Sequence, residues 1–111
     1  MAEKVLLCQA DATQLPFLSA SFHALYADVP WGQLTGSHEE NEDLYPRLLT
    51  EAARLAVSGA IFALLTHEIM LLESLLPRFA AVWKLQKVVR VLQGGLHPRI
   101  YLLRRTRAPL S

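Results

Sequence analysis

Apolar residues run along this chain in short blocks, separated by polar segments marked with proline, glycine or serine. Val5 to Ala10 is one such block and reads as a buried strand ending at Asp11-Ala12. Thr13 to Ser21 is rich in turn formers, with Pro16 and two serines around Leu15, Phe17 and Leu18. Phe22 to Ala27 reads as a second strand, ending at Asp28. Gln33 to Asn41 has no apolar period and reads as a loop long enough to be functional. From Leu44 the spacing changes: Leu44, Leu48, Leu49, Ala52 and Leu55 recur every three or four residues, predicting a helix with one buried face. Asp43 is placed to cap that helix, Pro46 falls in its first turn, and Gly59 is placed to end it. Ala60 to Leu65 is uniformly apolar and too short for a helix, as expected of a parallel strand covered on both faces. Thr66 is placed to cap a second helix through about Leu76, stopped by Pro77. Leu85 to Leu92 and Arg99 to Arg104 are strand-like, and the Gln93-Gly94-Gly95-Leu96-His97-Pro98 link between them predicts an antiparallel hairpin.

The order strand, strand, helix, strand, helix, hairpin predicts an α/β fold, a mostly parallel sheet with an antiparallel edge. At 111 residues the chain is one domain with one core. Its 52% hydrophobic and 19% charged residues exclude intrinsic disorder. The longest uncharged apolar stretch, Leu55 to Leu65, has 11 residues, against the roughly 18 of a membrane span. No membrane association is expected. The Met1-Ala2-Glu3-Lys4 start has no secretory pattern, and a single cysteine suits a reducing compartment, so a cytoplasmic location is expected. Cys8 sits in the first apolar block and reads as core.

Charge is distributed unevenly. Eight of the eleven Lys and Arg residues lie from Arg78 onward, where no Asp or Glu follows Glu73. A basic C-terminal third suits a polyanion such as RNA, and equally a solvated surface strand and a frayed tail.

The chemistry centres on Asp28-Val29-Pro30-Trp31-Gly32. Ligands of an open parallel sheet bind beyond the carboxyl ends of its strands, and Asp11 and Asp28 both stand at such ends. A carboxylate beside an indole there could grip a flat, amine-bearing ring. Asp11-Ala12-Thr13-Gln14-Leu15-Pro16-Phe17 followed by this pentapeptide resembles the middle of a class I S-adenosylmethionine-dependent methyltransferase. Asp28-Val29-Pro30-Trp31 is similar to the Asp/Asn-Pro-Pro-aromatic signature of enzymes that methylate exocyclic amines of nucleobases. Gly36-Ser37-His38, Asn41, Leu44-Tyr45-Pro46, Leu48-Leu49, Leu64-Leu65-Thr66, Gly94-Gly95-Leu96, Ile100-Tyr101 and Arg105-Thr106 extend the likeness over nearly the whole chain. Together they resemble the catalytic domain of the THUMP-containing tRNA guanosine N2-methyltransferases.

The resemblance implies a Rossmann-like class I methyltransferase fold, here its C-terminal part without the first two strands. It implies S-adenosylmethionine as cofactor and RNA, in particular tRNA, as partner. Asp11 would accept a hydrogen bond from the adenine amine of the cofactor, with the Ala12 backbone beside it. Asp28 would serve both cofactor and acceptor sides, and with the Val29 carbonyl would accept from the guanine amine. Pro30 would stiffen that backbone and Trp31 would stack on the base. Methyl transfer from a sulfonium has a good leaving group, so the site must chiefly align the amine and accept charge developing on nitrogen.

Three departures stand beside the likeness. Val29 replaces the first proline of the signature, the THUMP module is absent, and no glycine-rich cofactor loop or ribose-binding acid precedes Asp11. In this fold the strand bearing that loop lies beside the strand carrying Asp28. Without it, the Asp28 strand would expose a long apolar edge. A fragment, one half of a split enzyme, or a relic pairing that edge with its own first strand or another chain is therefore expected, inactive when isolated. A complementing N-terminal half, or self-association through the exposed edge, follows as a partner expectation. Two rivals remain: a methyltransferase for adenine or cytosine amines, and a non-catalytic module recruiting a partner through its edge and its basic hairpin at Arg104 and Arg105. His23, His38, His67 and His97 lack zinc spacing, so no metal is expected. His38 reads as a solvated loop residue, Tyr45 as core packing, and Phe79 and Trp83 as satellite core. Ser37 has no adjacent base to make it a nucleophile.

Overall fold

The structure, a computed structural model, describes residues 5–9, 19–28, 38–92, 94–95 and 97–110, and of residues 5–9 and 38–41 the backbone alone. Among the described residues five strands form one sheet: β1 (Val5–Gln9), β2 (Phe22–Asp28), β3 (Ala56–Thr66), β4 (Trp83–Arg90) and β5 (Arg99–Arg105), in spatial order β1-β2-β3-β5-β4. β1 and β3 flank β2 in parallel, and β5 joins β3 and β4 antiparallel. Helix α1 (His38–Leu55) links β2 to β3, and α2 (Ile69–Leu75) runs into a 3-10 turn at Leu76–Phe79. The expected class, a mostly parallel sheet ending in an antiparallel hairpin, is present.

Alternation along the strands decides where the core lies. Leu25 and Ala27 of β2, Ala60, Phe62, Leu64 and Thr66 of β3, and Tyr101, Leu103 and Arg105 of β5 are buried on one face. Tyr45, Leu48, Leu49, Ala52 and Ala53 of α1 and Leu72 and Leu75 of α2 join the same cluster. Trp83 locks the two layers together. Its ring lies 5.4 Å from that of Phe62 and its Nε1 donates to the Leu49 carbonyl at 3.0 Å. It belongs to the main core, not to a satellite cluster, whereas Phe79 packs only partly buried against that core. Both helices lie on this face. On the other, Ala24, Tyr26, Ile61, Ala63, Ile100 and Leu102 are half-exposed, so among the described residues no helix covers β3 on its second face as its uniform hydrophobicity suggested.

Helix α1 begins earlier than apolar spacing indicates. His38–Asn41 is helical, so Asp43 is an interior residue rather than a cap, and Pro46 lies well inside the helix. The early turns carry Glu39, Glu40, Glu42 and Asp43, which favour a helix N-terminus electrostatically without any apolar stripe. Asp43 pairs with Arg47 at 3.3 Å across the proline, and Thr50 donates to the Pro46 carbonyl at 2.9 Å. The helix also ends before Gly59. The Ala20 and Ser21 N–H groups donate to the carbonyls of Arg54 and Leu55 at 2.8 and 2.9 Å, capping the C-terminus from outside. β3 follows at once, and Gly59 sits within it at a φ of +86°. There Phe22 to Ala24 of β2 spans Ala56 to Ile61 of β3, an irregularity whose left-handed backbone suits glycine.

β1 settles the expected open edge. It pairs with β2 from Val5↔Ala24 to Gln9↔Asp28, so the Asp28 strand is covered by the chain's own first strand. Replacing Trp83 by Ala is expected to cost about 3–5 kcal/mol, a large part of the roughly 5–15 kcal/mol of a small domain. Leu85→Ala, at a side chain 44% exposed, is expected to cost under about 1 kcal/mol in the same urea unfolding experiment.

Candidate active site

Asp28 is the last residue of β2, paired with Gln9 on one side and Leu65 on the other. The chain thus leaves β1, β2 and β3 at one rim. Asp11, two residues beyond Gln9 in sequence, lies outside the described residues, as do Ala12, Val29, Pro30, Trp31 and Ser37. Of the residues expected to handle cofactor and amine, the described structure therefore contains Asp28. It is half-buried at the carboxyl end of a parallel strand, where open α/β sheets bind ligands.

Tyr26 stands two residues before Asp28 and shares its face of the sheet. Burial raises the Tyr26 phenol above its usual pKa, and the Asp28 carboxylate raises it further. A carboxylate and an aromatic side chain thus lie side by side on β2 itself. The alternation of β2 contains this pairing, which apolar content alone conceals.

The neighbouring end of β3 is pinned from below. Thr66 is fully buried; its Oγ1 shares a hydrogen bond with the Tyr45 hydroxyl and accepts the Glu68 N–H at 2.9 Å. Glu68, rather than Thr66, is the N-cap of α2. Tyr45 is 1% exposed, a core residue as expected, and burial pushes its pKa up to about 12. The turn held in this way borders a cavity of about 520 Å³ lined by Glu42, His67, Glu68, Ile69, Met70, Leu71 and Ser74. Sequence reading missed this bond because residues 21 positions apart carry no common period.

Farther along the rim, Tyr101 donates to Glu73 at 2.6 Å and Arg99 pairs with the same carboxylate oxygen at 3.3 Å, tying β5 to α2. Burial, then the bond to Glu73, pushes the Tyr101 pKa to about 12. Arg105 is not part of a surface patch. It is 9% exposed, donating through Nε to the Ala53 carbonyl and through Nη1 to those of Thr106 and Ala108. Its burial corrects the expectation that Arg104 and Arg105 act together on a partner. Among the described residues no group of His, Cys, Asp and Glu is arranged to hold a metal ion, and no helix is long and apolar enough to cross a membrane.

A parallel sheet with an acid at the carboxyl rim and a terminal antiparallel hairpin is the architecture of class I methyltransferases. Solved structures agree. TrmN from Thermus thermophilus aligns with 86% of this chain at a TM-score of 0.71 and 32% identity, the match covering 27% of TrmN. The 16S rRNA (adenine(1408)-N(1))-methyltransferase from Catenulisporales acidiphilia shares the fold over 87% of this chain and 56% of its own, at a TM-score of 0.61 and 17% identity. The profile of the RMKL-like methyltransferase domain, UPF0020, matches residues 1–99, and the chain belongs to that family. The tRNA (guanine(6)-N(2))-methyltransferase THUMP3 of Mus musculus is 38% identical over 99 residues, 88% of this chain and 20% of the relative. The chain thus spans about one fifth of the length of that relative.

All three tyrosines of the chain have raised pKa values. A phenol protonated more tightly in the folded state contributes stability below pH 10, lost as pH rises through the folded value. Absorbance at 295 nm is expected to show less than half of the tyrosinate at pH 10 that urea-unfolded protein shows. Stability should fall between pH 10 and about 12, the value for Tyr45 and Tyr101.

Proposed function

We propose that this chain carries the amine-accepting half of an RNA guanosine N2-methyltransferase acting on tRNA, with S-adenosylmethionine as methyl donor, in the cytoplasm. The carrying observation is Asp28, a half-buried carboxylate at the carboxyl rim of a chain 38% identical to a relative named for methylation at guanine N2. An exocyclic amine is a hydrogen-bond donor, and a fixed carboxylate is the acceptor that orients it. As the nitrogen is alkylated its protons become acidic, and the same carboxylate stabilises the charge that develops. Tyr26 beside it supplies a flat apolar wall.

The described residues do not fit the cofactor. The segments after β1 and β2 lie outside the described residues, β3 passes from Thr66 into His67-Glu68 without a glycine, and Gly94 and Gly95 lie exposed in the β4–β5 hairpin with φ of +54° and +85°. The position next to β2 that a cofactor-binding strand takes in the resembling fold is filled by β1. Activity in this reading requires a complementing half that displaces β1 from β2.

The test is a chimera in which residues 1–99 replace the matching segment of the mouse relative, followed by nucleoside analysis of methylated tRNA. N2-methylguanosine is the expected product, and Asp28→Asn is expected to lower kcat by about 100-fold or more, the scale of removing one transition-state hydrogen-bonding group. Methyladenosine or methylcytidine as the product, or activity within a few-fold of the parent chimera in Asp28→Ala, would contradict the proposal.

A further inference from the structure

The face of the sheet opposite the helices divides into two parts. Toward β2 and β3 it is apolar, with Ala24, Tyr26, Ile61 and Ala63. Toward the hairpin it turns basic. Lys84 of β4 stands directly across from Arg104 of β5, and Lys87 across from Leu102. Arg104 alternates with buried Leu103 and Arg105, so it and its cross-strand partner project away from the helices, as does Lys87. All three cations are exposed, and among the described residues none has a carboxylate within ion-pair distance. Arg104 gives one N–H to the Gly59 carbonyl at 2.8 Å, which fixes its stem and leaves other donors outward.

Like charges directly opposite on a sheet repel, and no carboxylate among the described residues neutralises them. Lysines on an edge strand have an ordinary role in discouraging strand-to-strand aggregation, which accounts for Lys84 and Lys87 on β4. It does not account for Arg104, which sits on the inner strand β5 between β3 and β4. A patch holding three unneutralised cations, two of them forced together, is complementary to a polyanion.

We infer that the hairpin side of the open face, through Lys84, Lys87 and Arg104, is a docking surface for the phosphate backbone of RNA. The inference rests on the proposed RNA substrate and names where that substrate is held. Lys87 is three strand spacings from β2, about 14 Å at usual sheet geometry, so RNA seated there leaves a nucleotide farther along free to reach the Asp28 rim. The contact reads charge and not sequence, leaving base choice to the rim.

Fluorescence anisotropy with a labelled tRNA transcript and the full chain tests this, using two doubly substituted proteins that lose the same charge. Lys84→Gln/Lys87→Gln is expected to weaken binding about tenfold and to reduce the slope of log affinity against log salt by about one to two. Arg47→Gln/Arg78→Gln removes two exposed cations from the helix layer and is expected to change affinity less than about twofold. Arg104→Gln should weaken binding in its own right, with circular dichroism confirming an unchanged fold. Equal losses in the two double variants, or no tRNA binding by the parent chain, would overturn the docking surface. So would unchanged affinity with new self-association of Lys84→Gln/Lys87→Gln in sedimentation, which assigns the lysines to edge protection. These outcomes are separate from the methylated product and the Asp28 dependence of the chimera, which test the catalytic reading.

Discussion

The alternation of β3 is the constraint on which the other elements depend. β3 is hydrogen-bonded on both sides, to β2 in parallel and to β5 antiparallel. Its even-numbered residues from Ala60 to Thr66 are buried against α1 and α2. A one-residue slip would turn Phe62 and Leu64 outward, separate Phe62 from Trp83, and remove Thr66 from Tyr45. The same register sets Leu65 beside Asp28, so the pairing that builds the core also positions the rim acid. Core and candidate site are two ends of one ladder.

The other neighbour of β2 is β1, supplied by the chain itself. Gln9 beside Asp28 brings the end of β1 next to that of β2. Adjacent strands lie about 4.8 Å apart, too close to admit further strands between them. β1 relieves the apolar edge hazard of β2 and, in the proposed reading, takes the place of a cofactor-binding strand. The second sheet face remains uncovered by helices among the described residues, apolar near β2 and basic near β4. The basic part is the surface inferred above to hold RNA, and it is separate in the sheet from the rim that carries Asp28.

Much of the architecture was legible in the residues because it follows local rules. Strand-like blocks ending at Asp28 and Leu65, the apolar stripe from Leu44 to Leu55, and the double glycine between β4 and β5 each mark an element that exists. The misreadings share a physical cause: tertiary partners override local signals. Helix α1 starts in an acidic segment with no stripe, and it ends where residues 20 and 21 take its carbonyls, not at Gly59. Arg105 looks like one more member of a basic run, yet parity turns it into the core while Arg104 stays outside. Around the site, the Asp28 strand end was readable, but Tyr26 at its side required strand alternation to be applied to the motif. The Tyr45–Thr66 bond links distant positions through the fold alone.

In the proposed reading Asp28 serves the acceptor side of a methyltransferase site, and the described residues by themselves do not hold the cofactor. Calorimetric titration of S-adenosylmethionine into the purified 111-residue chain, with its mass in solution determined by sedimentation, tests that most directly. The result expected is no saturable heat at micromolar cofactor. One-to-one binding with a micromolar Kd by a monomeric chain would contradict it.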